Sequence, residues 1–171
     1  MKKIITLFAV ILSLSSFAIV SPPLTGTASA TGSANIITPI AISNGGNMNF
    51  GSIAVGTTAG QVILSAGGVR STLGGVTLPS VTTAVTVASF DVTGLASSTY
   101  SISLPNADYT ISGAGSSMVI NAFTNNIGAV GTLGSDGKQT IKVGATLNVN
   151  ASQAAGSYTN AQGFGVTVNY N

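Results

Sequence analysis

Apolar and polar residues alternate with a period of two in short runs along most of this chain. Such alternation places every second side chain on the same face of an extended strand. It is clear in residues 100–104 and in residues 164–171, where apolar or aromatic residues take the even positions. No amphipathic segment of helical period runs longer than two turns. The pattern therefore predicts an all-β protein.

Turn-forming residues separate the alternating runs. Asn44-Gly45-Gly46, Pro105-Asn106 and Ser135-Asp136-Gly137 are typical of such turns. Short strands at near-regular spacing, without helices between them, are typical of an antiparallel β-sandwich or a β-barrel. Because the runs are uneven in length, we predict an open sandwich rather than a closed barrel.

The N-terminus has the features of a secretory signal peptide. Met1-Lys2-Lys3 is basic, residues 4–20 are mostly apolar, and Ala28-Ser29-Ala30 is a small-residue cleavage pattern. A membrane anchor is the alternative, but no basic stop-transfer cluster follows the apolar run. The N-terminus therefore predicts export from the cytoplasm.

The cleavage position defines the mature domain. We predict cleavage after Ala30, with cleavage after Ala18 as the alternative. The first choice divides the chain into a signal peptide, residues 1–30, and one β-sandwich domain, residues 31–171. We expect no membrane attachment after cleavage.

Charged side chains are few and evenly balanced in the predicted mature chain. Lys2 and Lys3 leave with the signal peptide, and the formal net charge of the remainder is 3 − 3 = 0. This balance excludes the basic surface of a nucleic-acid-binding domain. A neutral surface also lacks the self-repulsion that keeps copies of a protein apart. The remaining charges are Arg70, Lys138, Lys142, Asp91, Asp108 and Asp136.

The residue types that carry most enzymatic chemistry are missing. The chain has no His and no Cys, so Ser-His and Cys-His arrangements and the usual zinc sites cannot form. Each Asp fits a structural position: a polar strand face for Asp91, a turn for Asp108 and a hairpin turn for Asp136. We therefore predict no enzymatic activity, no catalytic residue, no metal site and no cofactor.

Tyrosine is the residue type here that binds sugar rings by stacking. Tyr100, Tyr109 and Tyr170 fall in phase with apolar neighbours, which predicts core packing for them. Tyr158 is the remaining candidate for a sugar contact. The alternative function is therefore a secreted glycan-binding adhesin, or a matrix or coat module that folds as a monomer. Its ligand is a host or matrix glycan.

Five segments, in order, carry a resemblance to known secreted families. Residues 48–53 (MNFGSI) and 90–94 (FDVTG) resemble elements of spore-coat-U-like proteins. Residues 142–147 (KVGATL) resemble a sequence element of a related family of secreted domains of unknown function. Residues 156–159 (GSYT) and 164–170 resemble the ending that these groups share. The group as a whole is similar to the subunits of archaic chaperone–usher pili.

The resemblance implies an incomplete immunoglobulin-like sandwich that lacks its last strand. It implies a non-catalytic, pilin-like (fimbrial) structural subunit in the periplasm and then on the outer cell surface. The implied partners are a periplasmic chaperone, an usher and further copies of the chain, which complete the sandwich by strand addition. The implied last strand beside the open groove contains Phe164, Val166, Val168 and Tyr170, and the first strand or donated segment contains Ala34, Ile36, Ile40 and Ile42.

The source of the donated strand stays open at this point. Cleavage after Ala30 leaves only Thr31-Gly32-Ser33 ahead of the predicted first strand, which is too short for donation. Cleavage after Ala18 frees residues 19–33, and donation of residues 34–42 themselves is the second solution. In the third, the domain folds complete and never polymerises. Spore-coat-U-like proteins also carry a Cys near the first strand, and this chain has none.

Overall fold

The computed structural model describes residues 25–80 and 83–171 of the chain. Most of the predicted signal peptide, residues 1–24, lies outside the described residues. Residues 25–35 are exposed, have no regular secondary structure and belong to a different unit from residues 36–171. Within the described ranges, no helix is long and apolar enough to cross a membrane.

The described residues form eleven β-strands and no helix, which confirms the all-β prediction. The longest strand has 12 residues, and it lies near the C-terminal end of the chain. The strands are β1 (Ala41–Gly46), β2 (Ala54–Leu64), β3 (Arg70–Thr77), β4 (Ala88–Thr93), β5 (Thr99–Ser103), β6 (Tyr109–Gly113), β7 (Met118–Asn125), β8 (Val130–Thr132), β9 (Lys138–Val149), β10 (Tyr158–Thr159) and β11 (Thr167–Tyr170).

The strands form two sheets in which every ladder is antiparallel. The larger sheet has the order β1-β4-β9-β7-β6-β10, and β2 also pairs with β9 and carries β3 on its other side. The smaller sheet has the order β11-β5-β8. Strand β9 is long enough to pair with β4 along its first half and with β2 along its second half. This arrangement confirms the prediction of an antiparallel β-sandwich.

Two clusters of buried side chains form the core, and β9 contributes to both. Ile141 and Val143 belong to the cluster that includes the small sheet, whereas Leu147 and Val149 belong to the cluster under β2, β6 and β7. With Ala145 between them, the buried residues take every second position of β9 from Ile141 to Val149, so one face of the strand is buried along that stretch. The alternation visible in the sequence is therefore the signal of this buried face.

Two of the predicted strand boundaries are wrong. Strand β1 begins at Ala41, so Ala34, Ile36 and Ile40 precede the first strand. The reason is that β4 ends at Thr93, opposite Ala41, and has no residue that could pair with the segment before Ala41. Likewise β11 contains Val168 and Tyr170 but begins after Phe164 and Val166, because the ladder to β5 ends at Ser103, shortly before Pro105. In both cases the neighbouring strand sets the boundary.

We expect the stability of the protein to decrease in alkaline solution because of Tyr100. Burial raises the pKa of Tyr100 above its ordinary value of 10.0, and its hydroxyl donates to Gln139 Oε1 at 2.7 Å. The unfolded chain loses this proton first, so the stabilisation is complete below the unfolded pKa and is lost as the pH rises through the folded pKa. The melting temperature should fall more steeply above about pH 10 in the wild type than in Tyr100→Phe. Parallel curves for the two proteins would contradict this assignment.

Candidate functional site: the seam between β1 and β11

Two strands lie at the ends of their sheets and adjoin each other. Strand β1 pairs only with β4, and β11 pairs only with β5. The two strands approach each other, but no ladder joins them among the described strands. We call this boundary between the two sheets the β1–β11 seam.

The ladder register identifies the unpaired main-chain groups of β11. Asn171 N–H donates to Thr99 C=O at 3.4 Å, and residues that bond across an antiparallel ladder alternate along the strand. The N–H and C=O groups of Val168 and Tyr170 therefore face away from β5. No strand in the described part of the chain pairs with them on that side.

The same reasoning identifies the unpaired groups of β1. Gly94 directly follows β4, and its N–H donates to Gly137 C=O at 2.9 Å in register with the β4–β9 ladder, so the even-numbered residues of β4 bond to β9. The odd-numbered residues of β4 therefore bond to β1, and their partners are the odd-numbered residues of β1. The main-chain groups of Ile42 and Asn44 therefore face away from β4, on the side of β1 with which no described strand pairs. A row of unpaired donors and acceptors thus runs along each of the two adjoining strands.

Half-buried apolar side chains line the seam and pack on the core cluster below it. The aromatic ring of Phe164 is central to this lining, with ring centroids 6.0 Å from Phe90, 5.8 Å from Tyr109 and 4.7 Å from Phe123. These contacts fix the segment before β11, and a hollow of about 70 Å³ remains beside Phe90 and Phe164. We define the seam lining as the half-buried residues of this cluster that lie on β1, β4 or β11 or just beside these strands in sequence, namely Ile40, Ile42, Met48, Phe90, Phe164 and Tyr170.

The structure brings six of the eight predicted site residues to one core cluster, namely Ile40, Ile42, Phe164, Val166, Val168 and Tyr170. The remaining two, Ala34 and Ile36, are exposed, and Ile36 is 96% accessible. Met48 and Phe90 also line the seam, although the alternation pattern does not predict it. Phe90 belongs to an alternating run, but only its pairing with Asn44 places it at this boundary. The roles of all these residues in partner binding stay predictions.

The three Asp side chains all accept hydrogen bonds from structural partners. Asp91 accepts from Thr140 Oγ1 at 2.7 Å, and Asp108 accepts from Asn121 Nδ2 at 3.1 Å. No group of three or more His, Cys, Asp or Glu side chains that could hold a metal occurs in the described ranges. The Tyr158 hydroxyl donates to Ala154 C=O at 2.7 Å, and its half-buried ring packs on the core. Catalysis and glycan binding therefore gain no specific geometric support.

The comparisons with known proteins place the chain in a family. A family model described as "Domain of unknown function (DUF4402)" matches residues 40–170. No curated protein and no solved structure matches the chain. The prediction of an uncharacterised domain family is confirmed, and the link to spore-coat-U-like proteins and pilus subunits stays a prediction. The chain belongs to the DUF4402 family, and the matched range begins just before β1 and ends at the last residue of β11.

Proposed function

We propose that this protein is a structural subunit of the bacterial cell surface that assembles by strand addition at the β1–β11 seam. The added strand comes from the N-terminal segment of another copy. Unpaired main-chain groups supply affinity in such pairing, and alternating side chains set its register. The observation that carries the proposal is the combination of two unpaired strand edges with an apolar lining at the same boundary.

The composition of these two strands supports the proposal. Natural proteins protect edge strands with charged residues, proline or a covering element. Strands β1 (AISNGG) and β11 (TVNY) contain neither a charged residue nor a proline. An unprotected edge of this kind can pair with another chain. The zero net charge of residues 31–171 also leaves little repulsion between copies.

The start of β1 removes the difficulty about the length of the donor segment. Because β1 begins at Ala41, cleavage after Ala30 leaves residues 31–40 ahead of the first strand rather than three residues. Ten extended residues span about 33 Å, which exceeds the length of the six-residue strand β1. Cleavage at either predicted position therefore leaves a segment long enough to add a strand. We call residues 31–40 the N-terminal arm.

The pattern of residues in the arm fits a strand with one apolar face. Residues 31–36 alternate hydroxyl or amide side chains at odd positions with Gly32, Ala34 and Ile36 at even positions. Residues 31–39 are exposed and belong to no strand. The large exposed side chain of Ile36 is therefore available to a second copy. The small residues Gly32 and Ala34 on the same face of the arm permit close approach to the apolar seam lining of that copy.

The test is self-association of the mature protein. We expect Ile36→Asp to raise the dissociation constant for self-association at least about tenfold, since burying an Ile side chain contributes about 1.5–3 kcal/mol and tenfold corresponds to about 1.4 kcal/mol. Sedimentation velocity or light scattering coupled to size-exclusion chromatography, over a range of concentrations, measures this change. A synthetic peptide of residues 31–40 should compete with assembly.

Leu73→Asp is the matched control. Leu73 is also an exposed apolar residue, but it lies on β3, far from the arm in sequence and outside the seam lining. Assembly should be unchanged in this variant. A wild-type mature protein that is strictly monomeric at every concentration, and that binds no arm peptide, would overturn the proposal.

The proposed partners and location follow from the same mechanism. A chain with an unpaired seam requires a periplasmic chaperone to protect it, and then an usher at the outer membrane for assembly. The neighbouring genes should therefore encode both proteins. Expressed without the chaperone, the subunit should be unstable or form linear polymers.

A further inference from the structure

The hydroxyl of Tyr170 connects three segments that are distant in sequence. Leu95 N–H donates to Tyr170 Oη at 2.6 Å, and Tyr170 Oη donates to Thr38 C=O at 2.9 Å. Leu95 follows β4, Tyr170 ends β11, and Thr38 belongs to the N-terminal arm. One side chain at the end of β11 therefore bonds both to the turn after β4 and to the arm.

The surroundings of Tyr170 fix the position of this hydroxyl. A Cβ atom built on Gly94 would overlap Tyr170 Oη and would lie 3.2 Å from Tyr170 Cζ. Gly94 itself is held by its hydrogen bond to Gly137 C=O. The end of the phenol ring thus lies directly against main chain, which leaves it little freedom to move.

The bond to Thr38 is the attachment point of the arm. Among residues 36–40, the Thr38 carbonyl is the only group with a hydrogen bond to another described part of the chain. Ile36 and Ile37 on its N-terminal side are exposed, and the β1 ladder begins three residues later at Ala41. Without this bond, the first residue after the arm with a hydrogen bond to the rest of the domain would be in β1.

We propose that Tyr170 is a positioning residue that fixes the point at which the donated arm leaves its own subunit. The inference rests on the proposed function, and it adds the regulation of that same site. With the bond in place, the free arm ends at Ile37. Without it, residues 38 and 39 join the free segment, which then ends at Ile40, the first residue packed on the core cluster. A fixed attachment point restricts the donor to fewer conformations, so less entropy is lost when it pairs with the next copy.

The first test measures the arm itself. We expect Tyr170→Phe to make proteinase K cleavage between Ile36 and Ile40 at least about tenfold faster, and amide exchange at Leu95 faster by a similar factor. Both changes follow from local opening once the bond is lost. Mass spectrometry of the fragments and of the exchanged peptides gives both rates. Tyr158→Phe is the matched control, because the Tyr158 hydroxyl also accepts one hydrogen bond (from Gln153 Nε2, 2.9 Å) and donates one to a carbonyl (of Ala154, 2.7 Å).

The outcomes separate this inference from the proposed function. Equal cleavage and exchange rates in Tyr170→Phe and the wild type would overturn the positioning role, whether or not the protein assembles. If the wild type assembles, Tyr170→Phe should assemble more slowly than the wild type. Its melting temperature should be similar to that of Tyr158→Phe. Assembly kinetics equal to those of the wild type would also overturn the positioning role. A monomeric wild type with a faster-cleaved Tyr170→Phe arm would sink the assembly proposal but leave the attachment of the arm established.

Discussion

Leu147→Ala is expected to lower the free energy of unfolding by about 2–5 kcal/mol. Leu147 lies on β9, is 2% accessible and pairs with Val62 on one side and Ile120 on the other. Truncation removes the transfer free energy of the buried side chain and leaves a cavity that strands on both sides can fill only partly. Because β9 joins both core clusters, the neighbouring strands have little freedom to collapse into the space.

Urea unfolding followed by circular dichroism measures this change, with tyrosine fluorescence as a second probe because the chain has no Trp. Leu73→Ala is the control, since it makes the same chemical change on β3 at a residue that is 64% accessible. The control should change the free energy by no more than about 0.5 kcal/mol. All variants need the same protein concentration, because any self-association would stabilise the folded state. Equal losses in the two variants would contradict the assigned core.

Gly144→Ala is expected to destabilise the protein by about 1–3 kcal/mol or more. Gly144 is buried in β9, and a Cβ atom there would overlap the carbonyl oxygen of Leu64 and would lie 2.6 Å from the Ala66 nitrogen. These are main-chain atoms at the end of β2, so no side-chain rotation can relieve the overlap. The added methyl group must displace β2 from β9, where their ladder ends.

Gly165→Ala provides the control for the loss of glycine itself. No atom lies within 4 Å of a Cβ built there, and Gly165 has no left-handed backbone conformation. Replacing such a glycine reduces the entropy of the unfolded chain, so the change should lie between zero and a stabilisation of about 1 kcal/mol. Thermal unfolding of both variants gives the comparison. A Gly144→Ala protein as stable as the control would show that β2 and β9 are not in close contact at this position.

The alternation of residue types was sufficient to predict the faces of most strands. Ile102 and Val168 lie in phase with their apolar neighbours in the sequence, and both are buried in the structure. Period two is a local property of an extended chain, so it needs no knowledge of the partner strand. The position of Asp91 on a polar face was predicted for the same reason, whereas the turn at Asp136 was predicted from the turn-forming residues around it.

The boundaries of the first and last strands depended on distant residues. Ala34 and Ile36 continue the alternation but lie outside β1, because β4 ends at Thr93 and has no residue to pair with them. Phe164 and Val166 precede β11 for a similar reason. A strand ends where its partner ends, and the paired residues of these strands lie between 89 − 46 = 43 and 170 − 100 = 70 positions apart along the chain.

By itself the sequence determined the all-β class, the buried face of each alternating run, the near-absence of charge on the strands and the lack of His and Cys. Only the tertiary structure decided which strands are left unpaired. Local alternation cannot specify pairing, since any two alternating runs present similar main-chain groups. The seam exists because β1 pairs only with β4 and β11 pairs only with β5. The same pairing sets the start of β1 at Ala41, so residues 31–40 precede the first strand.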